Sequence, residues 1–304
     1  MNEAQVEFFR ERGADQIELI GRGMEGTVYD VGDGLVGKVW FDRRPAELVS
    51  LQAFHQELSA QHLLFRTPEI SEVVELDGQT VSLEPKLPGT PLRAAVAAGV
   101  VTEEQALDAF ASVVSALGKT AVGQPTKALP VLDEHTSLWE DRSSWGEVLA
   151  AVVRRRGRGS LLGRSVDGFD ALLERLVTSL GQLPPDQFQL VHGDICPPNL
   201  LVDADGRVSA LLDWGFFTTA GDNAFDAATA AGFYDMYGPG ARAADDLLLS
   251  RFESELGYSR ELMLLYRAAY AVSTATMYSP DGSDGHFAWC AANLTRADLR
   301  SALE

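Results

Sequence analysis

Leu190-Val191-His192-Gly193-Asp194-Ile195-Cys196-Pro197-Pro198-Asn199-Leu200-Leu201-Val202 is an apolar approach, a polar loop and an apolar exit. Within the loop, His192, Asp194 and Asn199 follow neither strand nor helix periodicity, and the two prolines rule out a helix through it. Downstream, Ala210-Leu211-Leu212-Asp213-Trp214-Gly215 is a second apolar run, ending in an aspartate and a glycine. Loops at the ends of buried strands are where chemistry tends to sit. Asp194, Asn199 and Asp213 form an oxygen-rich set suited to a hard divalent cation, with one carboxylate left over for proton transfer.

His-x-Asp-x4-Asn followed by Asp-x-Gly resembles the catalytic core of the protein-kinase-like phosphotransferases. The His192-Gly193-Asp194 form is similar to the aminoglycoside phosphotransferase branch, which also includes choline, fructosamine, macrolide and homoserine-type kinases. The resemblance implies that Asp194 orients and deprotonates an acceptor hydroxyl, that Asn199 and Asp213 hold Mg2+, and that His192 braces the loop. It also implies an α+β, bilobal protein-kinase-like fold. An N-lobe with an antiparallel sheet and one helix would take residues 1–86, and a larger, mainly helical C-lobe residues 87–304.

The totals are compatible with that. A chain of 304 residues can build two lobes with substantial cores. Its 46% hydrophobic and 23% charged residues are ordinary for a soluble protein. No apolar run approaches the roughly 20 residues that span a bilayer, and the acidic start Met1-Asn2-Glu3 is unlike a signal peptide. Cys196 and Cys290 show no close metal spacing, so the expectation is a reducing cytoplasm and no membrane. A net charge of −19 argues against nucleic acid. It is compatible with a cationic substrate concentrated by an acidic cleft, and equally with acidity that only keeps the protein soluble.

Along the chain, a short helix over 3–12 precedes the strand Ile17–Ile20, which enters Gly21-Arg22-Gly23-Met24-Glu25-Gly26-Thr27-Val28-Tyr29. Three glycines at this spacing let a backbone approach phosphates closely. A dinucleotide-binding version needs a helix next, whereas the β-branched Thr27 and Val28 continue as strand. Gly21, Gly23, Gly26 and Val28 are therefore expected to cover a nucleotide, as in the glycine-rich loop of kinases. The strand Leu35–Phe41 carries one lysine among apolar residues; an isolated lysine in a strand usually faces solvent. The resemblance instead implies that Lys38 contacts the α- and β-phosphates of ATP.

A helix is expected from Pro45 to about His62, with Leu48, Leu51, Phe54 and Leu58 on one face. The resemblance implies that a glutamate of this helix pairs with Lys38. Glu57, mid-helix, is the choice; Glu47 competes, although a first-turn carboxylate is common for the helix dipole alone. A hairpin turning at Asp77-Gly78 leads to Glu84-Pro85-Lys86, similar to the kinase hinge, followed by the family-like turn Pro88-Gly89-Thr90-Pro91-Leu92. Adenine would take the Glu84 carbonyl and the Lys86 N–H.

Beyond the hinge the pattern turns helical. Thr102-Glu103-Glu104-Gln105 caps a helix to Leu117, and others are expected over 169–180, 242–256 and 261–277. Trp139 and Trp145 lie in a loop-like region and are read as packing anchors. The basic run Arg154-Arg155-Arg156-Gly157-Arg158 is read as an exposed flexible loop. Pro184-Pro185 closes the 169–180 helix ahead of the central stretch. By resemblance Asp226 braces the catalytic loop, with Asp222 as a candidate N-cap. The family's C-terminal helices shape the acceptor pocket, which makes Asp281, Asp284 and Trp289 candidates for substrate contact.

The reading is an ATP- and Mg-dependent phosphotransferase acting on a hydroxyl of a small molecule, an aminoglycoside-type antibiotic or an amino-sugar-like compound. A Ser/Thr protein kinase is the first alternative. Against it, Cys196 stands where protein kinases carry lysine, and no Ala-Pro-Glu segment follows Asp213. A nucleotide-binding pseudokinase is the second, yet Lys38, Asp194, Asn199 and Asp213 are all present. A metal hydrolase fails for want of histidines at ligand spacing.

Overall fold

The computed structural model describes residues 1–23, 25–184 and 188–303; Met24 of the glycine stretch and Pro185 of the proline pair lie outside them. Helix α1 (Glu3–Glu11) starts at an Asn2–Gln5 capping box and precedes an antiparallel sheet of β1 (Glu18–Arg22), β2 (Gly26–Gly32), β3 (Leu35–Trp40), β4 (Glu72–Leu76) and β5 (Gln79–Pro85). The strand order is β1-β2-β3-β5-β4. Helix α2 (Pro45–Ser59) sits between β3 and β4 in the chain.

The register gives the sheet two distinct faces, because side chains alternate along each strand. Val39 and Val81 stand opposite each other and pack with Phe8, Phe9, Val31 and Leu83 in a small core under α1. Gly37 is required there: a Cβ would come within 2.4 Å of the Phe9 ring. On the other face Val28, Lys38, Ser82 and Val73 stand side by side.

After the sheet the chain crosses through residues 86–89 into the larger part. β6 (Thr90–Pro91) leads into α3 (Leu92–Ala97), α4 (Glu103–Leu117) and α5 (Gln124–Ala128). Next come α6 (Trp145–Gly157), α7 (Leu162–Ser165) and α8 (Phe169–Gly181). The central stretch supplies β7 (Gln189–Val191) and β8 (Leu200–Val202), followed by β9 (Val208–Leu211) and β10 (Thr219–Gly221). The chain ends in α9 (Ala224–Phe233), α10 (Ala241–Leu256), α11 (Arg260–Thr274), α12 (Gly285–Thr295) and α13 (Ala297–Ser301). Two small sheets, β10-β7 and β6-β8-β9, hold the loops between them.

The helical core reaches into the chain before residue 87. Phe54, Leu58 and Phe65 belong to the same buried cluster as α4, α6 and α9, and Phe54 packs 5.7 Å from Trp214. Among α9 to α12 a buried ion cluster ties the bundle. The Arg267 guanidinium donates from Nη2 to Asp245 Oδ1 at 2.8 Å and from Nε to Ala228 O at 2.7 Å, while Arg296 pairs with the other Asp245 oxygen. Gly232 makes room for it, since a Cβ would lie 2.3 Å from Arg267 Nη1.

The basic run is no flexible loop. Arg154 to Arg156 form the last turn of α6, where positive charge suits the helix C-terminus. Arg155 and Arg156 pair with Glu134 at 2.6 and 3.0 Å. Trp145 opens that same helix behind the Ser144–Glu147 capping box, and with Trp139 it is a packing anchor, the rings stacked 6.4 Å apart. No helix among the described residues is long and apolar enough to cross a membrane.

Candidate active site

The loop from His192 to Asn199 joins β7 to β8, and hydrogen bonds from every side fix its shape. Asp226, fully buried in the first turn of α9, accepts His192 N–H at 2.8 Å and Gly193 N–H at 2.7 Å. Gly193 has φ 77°, and a Cβ there would lie 2.4 Å from Phe217 Cβ, so only glycine fits the turn. His192 is buried and its tautomer follows from its neighbours: Nδ1 accepts Asp194 N–H at 3.1 Å, so Nε2 carries the proton and donates to Leu212 O at 2.9 Å. Burial lowers its pKa to about 4, so the ring stays neutral. The bracing role implied for His192 and Asp226 is thus visible as geometry.

Asn199 donates from Nδ2 to both Asp194 O and Asp194 Oδ2 at 3.0 Å, which leaves its amide oxygen as an acceptor. Leu212 N–H reaches Asn199 O at 2.8 Å and so carries the β9 end against the loop. The next residue, Asp213, holds φ 61°, a conformation that costs a non-glycine residue energy and recurs at functional sites. Burial first, and then the Asp213 charge, push the Asp194 carboxyl up to about 7. The Asp213 carboxylate and the Asn199 amide oxygen are the groups that could hold a small hard cation, which takes one or two protein carboxylates and fills its remaining positions from phosphate and water.

The sheet supplies the other side. Lys38 points to the face that carries Val28 and Ser82; its Nζ lies over the Trp40 ring at 3.6 Å. The carboxylate it meets is Glu25, from the glycine stretch itself, at 3.3 Å, and Glu25 also takes Arg43 at 2.8 Å. Burial alone would raise the Glu25 carboxyl, but Lys38 and Arg43 outweigh it and hold the group low. Gly23 N–H donates to Gly26 O at 3.0 Å to close the turn, and a Cβ on Gly26 would press 2.5 Å from Val39 O. At Gly21 and Gly23 a Cβ would meet no described atom within 4 Å, which leaves their backbone open to an approaching group.

Two expected pairings are absent from this geometry. Glu57 does not reach Lys38: its Oε2 accepts Thr126 N–H at 3.0 Å and its Oε1 accepts Gly123 N–H, so it caps α5 instead. Glu47 folds back onto the Arg44 N–H at 2.7 Å, as a first-turn capping residue does. The reason is the placement of α2 on the helical core, which turns Glu57 toward α5. The Lys86 N–H, expected to be free for adenine, donates to Gly34 O at 2.7 Å, and its ammonium pairs with Asp30. The Glu84 backbone stands opposite Val36, while its side chain accepts from Ser82 Oγ at 3.2 Å. Burial raises the Glu84 carboxyl, with Lys38 pulling it down and Asp213 pushing it up.

Asp194 also faces a cavity of about 690 Å³, walled by Arg93, Phe233, Tyr234, Tyr237, Tyr270 and Tyr278. Asp235, Asp284 and His286 line it as well. Asp284 N-caps α12 through Phe287 N–H at 2.7 Å. Asp281 is exposed and closes its own loop on Ser279 and Ser283. Trp289 packs among Phe233, Tyr270 and His286, outside the lining residues. Of the three expected substrate contacts, only Asp284 lines the cavity. The tyrosines and Arg93 were not foreseen, because scattered aromatic residues on helices read as core until the fold brings them round one space.

A small antiparallel sheet over a helical body, with His-Gly-Asp and Asp-Trp-Gly at their junction, defines the kinase-like fold of small-molecule phosphotransferases. The chain belongs to the phosphotransferase enzyme family, whose model matches residues 16–262. No curated protein matches it by sequence. Among solved structures it is similar to the GDP complex of wild-type aminoglycoside 2'-phosphotransferase-IIIa, with TM-score 0.62, 16% identity, and 99% of this chain and 96% of that one covered. It is also similar to the apoenzyme of macrolide 2'-phosphotransferase MphH from Brachybacterium faecium, with TM-score 0.56, 19% identity and coverage of 96% and 98%. A third is ADP-bound aminoglycoside phosphotransferase APH(2'')-Ib, with TM-score 0.58, 14% identity and 98% of both chains covered.

Proposed function

We propose that the protein transfers the γ-phosphoryl group of Mg-ATP to a hydroxyl of a small amine-bearing molecule with a broad apolar face. The observation that carries this reading is that Asp194 belongs at once to the catalytic loop and to the wall of the 690 Å³ cavity. An acceptor in that cavity would present its hydroxyl to the one carboxylate poised for a proton. Asp194 takes that proton as the oxygen attacks, and the Asn199 amide keeps the carboxylate turned toward it. Asn199 Oδ1 and Asp213 would hold Mg2+, which supplies charge neutralisation at the phosphates. Lys38 grips the phosphates from the sheet, while Gly21 and Gly23 let the backbone come close over them. Nucleotides in related solved structures, GDP and ADP, support a nucleotide here.

The cavity walls favour the apolar character of the acceptor. Five aromatic residues line them, whereas the acidic groups are few and partly engaged: Asp235 accepts Gly240 N–H at 3.1 Å and lies 4.0 Å from Arg93. A compound carrying many ammonium groups would find few free carboxylates, so an amino sugar on an apolar body suits this site better than a fully polycationic aminoglycoside. The deciding measurement is ADP release from Mg-ATP across macrolides, aminoglycosides, simple amino sugars and a generic protein substrate. Turnover is expected on a small molecule, and Asp194→Asn should lower it at least about 100-fold while ATP still binds. Turnover on the protein substrate alone, or an undiminished Asp194→Asn rate, would overturn the reading.

A further inference from the structure

Lys38 and Arg43 share one carboxylate. Glu25 Oε2 lies 3.3 Å from Lys38 Nζ and Glu25 Oε1 2.8 Å from Arg43 Nη2, so both cations are spaced to grip the two oxygens of a single anionic group. The triad sits at the glycine stretch and beside the segment after Asp213 by two independent placements. Glu25 lies within the glycine stretch, its carbonyl accepting Phe41 N–H at 2.9 Å. Glu25 and Arg43 line one small cavity with Trp214 and Gly215, the residues directly after Asp213. Arg43 has no structural partner besides Glu25 among the described ion pairs, and its side chain is about one-third exposed. A guanidinium so placed presents a planar fork matched to phosphate oxygens.

Resting on the nucleotide reading above, we propose that Arg43 is a second phosphate-binding cation beside Lys38, and that Glu25 holds the pair as an internal stand-in for phosphate until nucleotide displaces it. A phosphate group meets both cations with oxygens at spacing like that of the carboxylate, but carries more charge, so the exchange runs toward nucleotide. Glu25 then competes with the ligand: it keeps the two cations gathered and costs affinity to remove. The opposing roles give the two residues opposite signs. Loss of Arg43 weakens phosphate binding, and loss of the Glu25 charge strengthens it.

The test is calorimetric titration of the full chain with adenosine, AMP, ADP and ATP in the presence of Mg2+, for wild type, Arg43→Gln, Glu25→Gln and the double variant. Arg43→Gln is expected to weaken ADP and ATP by about tenfold, the scale of one charged hydrogen bond, and to leave adenosine unchanged. Glu25→Gln is expected to tighten ADP and ATP several-fold, and that gain should shrink in the double variant because it acts through Arg43. Equal weakening of adenosine and ATP in Arg43→Gln would mean a damaged fold and sink the idea, as would ATP affinity unmoved by either substitution. Should wild type bind none of the four compounds, the nucleotide reading itself fails, an outcome distinct from wild-type binding that Arg43 does not influence.

Discussion

At the scale of single residues, neutral imidazole is a recurrent building material here. His192 shows how: one ring nitrogen accepts and the other donates, and the ring spans the catalytic loop and the β9 end. His55 is the more exposed weakness in energetic terms. It is buried on α2, its Nδ1 finds no partner among the described residues, and burial, then Lys38, lower its pKa to about 4. The folded form therefore refuses a proton that the unfolded chain accepts below its ordinary value near 6.5. Stability contributed by neutral His55 is complete above that value and is lost as pH falls from 6.5 through 4. Replacing it with leucine, of similar size, removes the proton. Relative to wild type, His55→Leu should gain up to roughly 3 kcal/mol between pH 7 and pH 4, read from urea midpoints at each pH. Asp194 and Asp226, both raised to about 7, titrate with the opposite sign but in both proteins alike, so they drop out of the comparison. A pH-independent difference between the two proteins would contradict the burial argument.

At the scale of elements, what was legible in the chain was whatever a local rule governs. The Thr102 capping box, the Asp77-Gly78 turn and the helices α2, α4, α8 and α11 all follow from short-range chemistry, whereas α6, behind the Ser144 capping box, lies where the sequence reads as loop. His192, Asp194, Asn199 and Asp213 were legible because loop motifs keep their order in sequence. The partner of Lys38 was not, because a pair between two elements depends on how a helix is rotated in the packed molecule. Glu57 illustrates the point. Its carboxylate caps α5 from another helix, so Glu57→Ala should cost about 1–2 kcal/mol of stability and leave ATP affinity within about twofold of wild type. Thermal melting and nucleotide titration on the same sample measure both. A large loss of ATP affinity with no loss of stability would restore Glu57 to the lysine. The Arg154–Arg156 run misled for a related reason, since charge density alone does not reveal that Glu134 is folded against it.

For the whole molecule, a buried polar feature beyond apolar packing is the Asp245–Arg267–Arg296 cluster. Asp245 and Arg267 are 3% and 1% exposed, and the Arg267 guanidinium also lies 5.5 Å from the Trp289 ring. Removing one member strands buried charge, so Asp245→Ala should destabilise by roughly 3–5 kcal/mol, seen as a lower urea midpoint. A change below about 1 kcal/mol, the worth of a surface pair, would show that solvent reaches the cluster. None of this network could be read in sequence: Asp245 comes from α10, Arg267 from α11 and Arg296 from the cap between α12 and α13, with no motif joining them.

The seating of α2 has a consequence for control. Phe54 and Leu58 are embedded in the helical body and Glu57 is tied to α5, while Lys38 and the glycine turn ride on a sheet with a separate small core. The helix is thus held by the helical half, whereas Lys38 belongs to a sheet whose core it shares with α1. Any movement of Lys38 relative to Asp194 therefore has to come from the sheet, because Glu57 keeps α2 on α5.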